Sequence, residues 1–105
     1  MARFEVYRNA GPYAATTPYL LDVQSNLLDE LESCVVIPMR RLDRFASARL
    51  PTLLTPVFDV EGQACLLETP KLAAVPRRLL KDRVTSLASD QSRIAGALDF
   101  LFQGY

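Results

Sequence analysis

The placement of proline constrains this chain more than any other feature. Its seven prolines all fall between Pro12 and Pro76, at Pro12, Pro18, Pro38, Pro51, Pro56, Pro70 and Pro76. Each removes a backbone donor and fixes φ, so no long helix can pass through that region, whereas short strands with turns and edges can. Residues 77–105 contain no proline, and a helix belongs there. A length of 105 residues suits a single domain spanning 1–105. Half of the residues are hydrophobic and 23% are charged, which is the balance of a folded domain rather than a disordered one.

Local patterning fills in this outline. Phe4-Glu5-Val6-Tyr7 alternates with Phe4 and Val6 on one face. Tyr19-Leu20-Leu21-Asp22-Val23-Gln24 reads as a second strand, and Cys34-Val35-Val36-Ile37 as a third, β-branched and buried on both faces. Pro56 to Val60, the turn Glu61-Gly62 and Gln63 to Glu68 read as a hairpin in which Gly62 supplies a positive φ. Residues 8–18, with Gly11, Pro12 and Pro18, read as a mobile loop. Over 90–103, Ile94, Ala97, Leu98, Leu101 and Phe102, continued by Tyr105, form one apolar stripe at helical period. Ser89 is the expected N-cap and Gly104 the C-cap. Gly96 inside the helix costs about 1 kcal/mol against alanine, which anticipates a close approach of another backbone or subunit. The chain closes on Phe100-Leu101-Phe102-Gln103-Gly104-Tyr105 without a polar tail. Either these residues complete the core or the terminus is itself a contact surface.

Composition removes several kinds of chemistry. The chain has no histidine, which excludes His-based triads, His metal ligands and a His pH switch. Gly-rich phosphate loops, GxSxG and CxxC are absent as well. Twelve cations balance twelve anions, so the excess positive charge of a general nucleic-acid binder is missing. Charge is nevertheless clustered. Arg40, Arg41, Arg44 and Arg49 surround Asp43; Lys71, Arg77, Arg78, Lys81 and Arg83 surround Asp82; and Asp22, Asp29, Glu30 and Glu32 form an acidic patch. Such clusters serve as solvated surface or as docking sites for a partner of opposite charge. Cys34 and Cys65 lie in apolar runs and read as buried, reduced thiols. The N-terminus enters alternating structure directly, and no stretch approaches the ~20 apolar residues of a membrane span, so a cytoplasmic protein is expected.

Several blocks, taken in order, resemble the CcdB toxin family. They are Phe4-Glu5-Val6-Tyr7, Tyr19 to Asp29, Val36-Ile37-Pro38-Met39, Leu54-Thr55-Pro56-Val57-Phe58, Ala74-Val75-Pro76 and the ending Leu101-Phe102-Gln103-Gly104-Tyr105. The resemblance covers nearly the whole chain. It implies a homodimer with an SH3-like β-barrel core, a small additional sheet of antiparallel strands and a C-terminal helix. It also implies the toxin of a type II toxin–antitoxin module that binds the DNA gyrase A subunit and traps gyrase on cleaved DNA. Such a toxin uses no cofactor and catalyses nothing, and an antitoxin with a disordered C-terminal segment neutralises it. Carried over position by position, the gyrase-binding tail corresponds to Gln103, Gly104 and Tyr105. The antitoxin-binding surface corresponds to Ser25, Asn26, Leu27, Leu28, Asp99 and Phe102. Gln103 departs from the tryptophan of well-known members, which leaves a diverged protein without gyrase poisoning as an alternative. The Arg40 to Arg49 run keeps open an RNA-cleaving toxin on the related MazF-like barrel.

Overall fold

The structure is a computed structural model that describes residues 2–44 and 51–104. Seven strands form one antiparallel sheet: β1 (Glu5–Arg8), β2 (Tyr19–Asp22), β3 (Ser33–Arg41), β4 (Val57–Val60), β5 (Gln63–Leu67), β6 (Ala73–Pro76) and β7 (Arg83–Ser86). One helix, α1 (Gln91–Gln103), follows. The sheet runs in the order β4-β5-β3-β2-β1-β7, with β6 attached to β3 as a branch. It curls into a half-barrel, as the sequence implies. The additional strand pairing expected beside the barrel is continuous with the main sheet, through β6.

The long strand β3 makes this branching possible. Its first half, Ser33 to Val36, pairs with β6, while Met39 to Arg41 pair with β5. Pro38 sits between the two halves, opposite Leu20 of β2. A residue's N–H and C=O point to the same side of a strand. The Pro38 carbonyl accepts from the Glu68 amide at 2.9 Å, so its missing donor faces the place where β3 changes partner. Proline is therefore tolerated in mid-strand, which the expected four-residue strand ending at Ile37 did not foresee. Neither β6 nor β7 announces itself by alternation. Their burial is incomplete, and pairing to β3 and β1 defines them.

The core lies inside the curl. Phe4, Val6, Leu21, Ile37, Met39, Phe58, Val60, Leu67 and Ile94 pack there, and Leu98 packs against them from the helix. A smaller cluster of Tyr7, Cys34, Val36 and Leu80 covers the opposite side of the sheet. Both thiols are fully buried and unbridged. Burial drives the Cys34 thiol up to about 12, with the neighbouring Asp22 adding to the shift.

The β4–β5 hairpin turns through Glu61 (φ 53°) and Gly62 (φ 78°). Two positive φ values match the twist of the flanking strands, but a non-glycine residue in this region costs about 1–2 kcal/mol. Glu61 is held there by a two-pronged pair with Arg8 at 2.7 and 2.8 Å and by the Tyr19 hydroxyl at 2.5 Å. These same bonds lower the pKa of Glu61. Of the loop 8–18, expected to be mobile, Arg8 ends β1 and the remainder is pinned. Asn9 donates its amide to the Pro18 carbonyl and its side chain to the Thr17 carbonyl, and Arg41 donates to the Thr16 carbonyl, all at 2.8 Å.

The start of the helix differs from expectation. Ser89 lies within a 3-10 turn, Ala88–Asp90, and Asp90 occupies the cap position without a side-chain capping bond. Arg93 anchors this end: it donates to the Val57 carbonyl at 3.0 Å and stacks 4.4 Å from the centre of the Phe58 ring. That contact ties α1 to the edge strand β4.

Candidate functional site

Two exposed apolar features stand out, and both include residues singled out from the sequence. The first is the segment after β2. Ser25 accepts from the Leu27 amide at 3.2 Å and so caps the 3-10 turn Asn26–Leu28. The Asn26 side chain accepts from the Arg3 amide at 2.7 Å, which ties the turn to the N-terminal strand. Gln24 donates to the Leu28 and Ser33 carbonyls and accepts from the Val35 amide. From the other side, Arg77 donates to the Leu31 carbonyl at 2.8 Å and to the Leu28 carbonyl at 3.3 Å. These bonds, near and distant in sequence, fix the segment while Leu27 stands outward. Leu27 is 94% exposed, and Leu28 and Leu31 are about half exposed. Neither Leu27 nor Leu28 is part of the core.

The second feature is the end of α1. Ile94 and Ala97 are fully buried, and Leu98 and Leu101 are partly so. Phe102 is 70% exposed, so it does not complete the core. At 100° per residue it sits about 80° round the helix from Ile94, at the margin of the buried face. Asp99, Gln103 and Gly104 are exposed beside it. Gly104 has φ 83° and donates to the Phe100 carbonyl at 2.9 Å, so the expected C-cap is present. Tyr105 lies outside the described residues, as does Arg49. The loop is held by Arg3, Gln24 and Arg77, and the helix by Arg93 and its buried face. The two features are thus supported independently.

Gly96 is exposed, and a Cβ there would meet no neighbour in the chain. Nothing among the described residues therefore requires this glycine. Beside it lies an open groove of about 410 Å³ bordered by Thr52, Leu53, Pro56, Ser92 and Arg93. Leu53, at 70% exposed, and Leu31 extend the apolar surface beyond the residues picked from the sequence. The available signal for Leu31 was its position as an apolar residue within the run Asp29-Glu30-Leu31-Glu32.

Part of the surface charge is held in ion pairs. Arg41 bonds Asp43 through two nitrogens, and Arg8 bridges Glu61 and Asp82. Arg83 pairs with Glu5, whose carboxyl burial would raise but which the Ala2 amide, Arg83 and Tyr7 hold low. Asp22 does not belong to the surface acidic patch, because it is buried at 2% exposure. Burial raises its pKa, against the pull of the Cys34 thiol, the Gln24 amide and Arg77.

A half-barrel closed by a C-terminal helix, with apolar side chains exposed on the capped loop, at the helix end and at Tyr13 and Leu53, defines a small domain with apolar surface to offer a partner. The family model described as CcdB protein matches residues 3–104, and the chain belongs to the CcdB family. Among solved structures, an endoribonuclease in complex with its cognate antitoxin from a mycobacterial species has a similar fold. Its TM-score is 0.71 at 15% identity, over 96% of this chain and 93% of that one. A likeness at that level of identity speaks for the fold.

Proposed function

We propose that this protein is the toxin of a type II toxin–antitoxin module. In this reading it acts in the cytoplasm by binding the DNA gyrase A subunit and trapping gyrase on cleaved DNA, with no catalysis of its own and no cofactor. The observation that carries the reading is the exposed Phe102, followed by the left-handed Gly104, at the end of a CcdB-family helix. Burying an exposed phenylalanine on a partner is worth about 1.5–3 kcal/mol, so the helix end can anchor a complex. Gln103 and Tyr105 complete the gyrase-binding tail. Gln103 offers an amide where a tryptophan would stack, so it contributes hydrogen bonding instead of a π contact.

A two-fold target suits a two-fold toxin, and the open face at Gly96 is where a second copy would approach closely. The exposed loop Ser25, Asn26, Leu27 and Leu28, with Asp99 and Phe102, forms the surface for the antitoxin. The test is a cleavage-complex assay with purified toxin and its cognate gyrase. Cleaved plasmid accumulating at micromolar toxin is the expected result, and none at that concentration overturns the reading. Should Gln103 have abolished poisoning, Gln103→Trp restores it.

The name of the structural neighbour favours a second reading, an RNA-cleaving toxin. A cleft bordered by Tyr13, Thr16, Arg40, Glu68 and Lys71 is where RNA would sit. Incubation with total RNA separates the readings, because cleavage there without gyrase effects would replace the first with the second.

A further inference from the structure

A wide groove adjoins the exposed loop at Leu31. It measures about 1130 Å³ and runs beside β6, with Leu31 and Glu32 on one wall and Ala74, Val75, Pro76 and Arg78 on the other. Among the described residues β6 pairs with β3 alone, so its outer edge has no strand beside it.

The polar groups on that edge follow from alternation along β3. The Val35 carbonyl accepts from Val23 and its amide donates to Gln24, so Val35 faces the β2 side. Cys34 and Val36 then face β6, where Val75 and Ala73 lie opposite them in register. Ala74 and Pro76 therefore turn their backbone groups away from β3. The outer edge presents the Ala74 N–H, the Ala74 carbonyl and the Pro76 carbonyl, with Pro76 contributing no donor. Such an edge can accept a short extended segment but is too sparse to template a long one.

Charge decides what that segment carries. Residues 71–78 hold three cations, Lys71, Arg77 and Arg78, and no carboxylate. Lys71 lies just before β6, where its exposed ammonium pairs with Glu68 at 3.5 Å and keeps further donors for a second carboxylate, and Arg78 lies exposed just after it. Glu32 lies on the β3 side of β6, where its carbonyl accepts from the Arg77 amide at 2.7 Å, so no carboxylate of that strand faces the outer edge; acidic side chains fit at its two ends and small or apolar ones between them. We propose that the outer edge of β6 docks an extended acidic segment of the antitoxin, which adds to the sheet as a further strand. The source of the segment rests on the toxin–antitoxin reading; the edge and its charge do not.

The probe is a fluorescein-labelled heptapeptide of alternating valine and threonine with an aspartate at each end. A control has lysine at both ends. Residue-resolved hydrogen exchange should show the Ala74 amide gaining protection with the acidic peptide and not with the basic one. Ala74→Pro removes the outward donor without touching the ladder to β3, as Pro76 already does one step along the same edge. It should weaken peptide binding about fivefold, the size of one lost hydrogen bond. Arg78→Ser, which leaves the backbone alone, should weaken it by up to about fivefold at low salt, and by less as salt is added.

An unchanged Ala74 amide at millimolar peptide, or wild-type affinity in both variants, overturns the proposal. The flanking cations would then guard the edge against pairing. A cellular assay separates this outcome from failure of the toxin reading. Growth arrest by Ala74→Pro that the cognate antitoxin reverses as well as it reverses wild type refutes the docking edge alone. Absence of arrest by the wild-type protein refutes the toxin reading and leaves the peptide measurements to decide the edge.

Discussion

Replacing Leu27 with serine tests whether the capped loop exists for a partner. Leu27 is 94% exposed, so the folded chain gains almost nothing from its side chain. The turn beneath it uses the backbone amide of residue 27 and the Ser25 hydroxyl, which the substitution leaves in place. Stability should therefore stay within about 0.5 kcal/mol of wild type. For a domain of this size that is a Tm shift of about 2–4 °C. A partner that covers the side chain gains most of the ~1.5–3 kcal/mol of burying a leucine. Its loss should weaken the complex by about 10- to 150-fold. Thermal melting and calorimetric titration with the cognate antitoxin read the two quantities separately. A Tm fall above about 8 °C would show that Leu27 supports the fold. Antitoxin affinity within twofold of wild type would show that the loop lies outside the interface.

Ile94→Ala is the converse case: the side chain is fully buried between helix and sheet, and its truncation should cost about 2–5 kcal/mol in urea unfolding. A cost below about 1 kcal/mol would mean that α1 is not docked as described. Asp22 supplies a pH signature. Its folded pKa is raised by burial, so its contribution to stability is complete below the unfolded value of about 3.9 and is lost as pH rises through the folded pKa. Asp22→Asn should remove that decline, measured as the difference from wild type in urea midpoints from acid to neutral pH; an unchanged slope would place the titration elsewhere. The two buried thiols should resist Ellman's reagent in the native protein and react together on unfolding, since burial raises both. Fast reaction of either thiol in the native state would contradict its burial.

How much of this was legible from sequence varies with the range of the forces involved. The β4–β5 hairpin, the helix and the glycine that ends it depend on near neighbours, and their residues named them. β6 and β7 exist only because β3 and β1 lie beside them, and neither carries strong alternation. Pro38 argued for a strand end at Ile37. It sits in mid-strand because the donor it lacks falls where β3 exchanges one partner for another. Among the candidate residues, the pattern could locate Leu27, Leu28 and Phe102 but could not say whether they faced inward. For Phe102 the helical stripe left core and contact surface open, since periodicity alone does not fix where the margin of a buried face falls.

The sequence by itself determined the division of the chain. Seven prolines before residue 77 and none after it confine long helix to the C-terminus, because that limit is covalent and needs no partner. Missing side chains, histidine above all, likewise excluded whole classes of chemistry without reference to any fold. Only the tertiary structure decided which apolar residues are free. Leu27 faces solvent because Gln24 and Arg77 clasp the backbone around it and Arg3 holds the Asn26 side chain, and those contacts span up to 49 residues of sequence. Exposure is a property of what the rest of the chain covers, and the rest of the chain is placed by pairing and packing between distant segments.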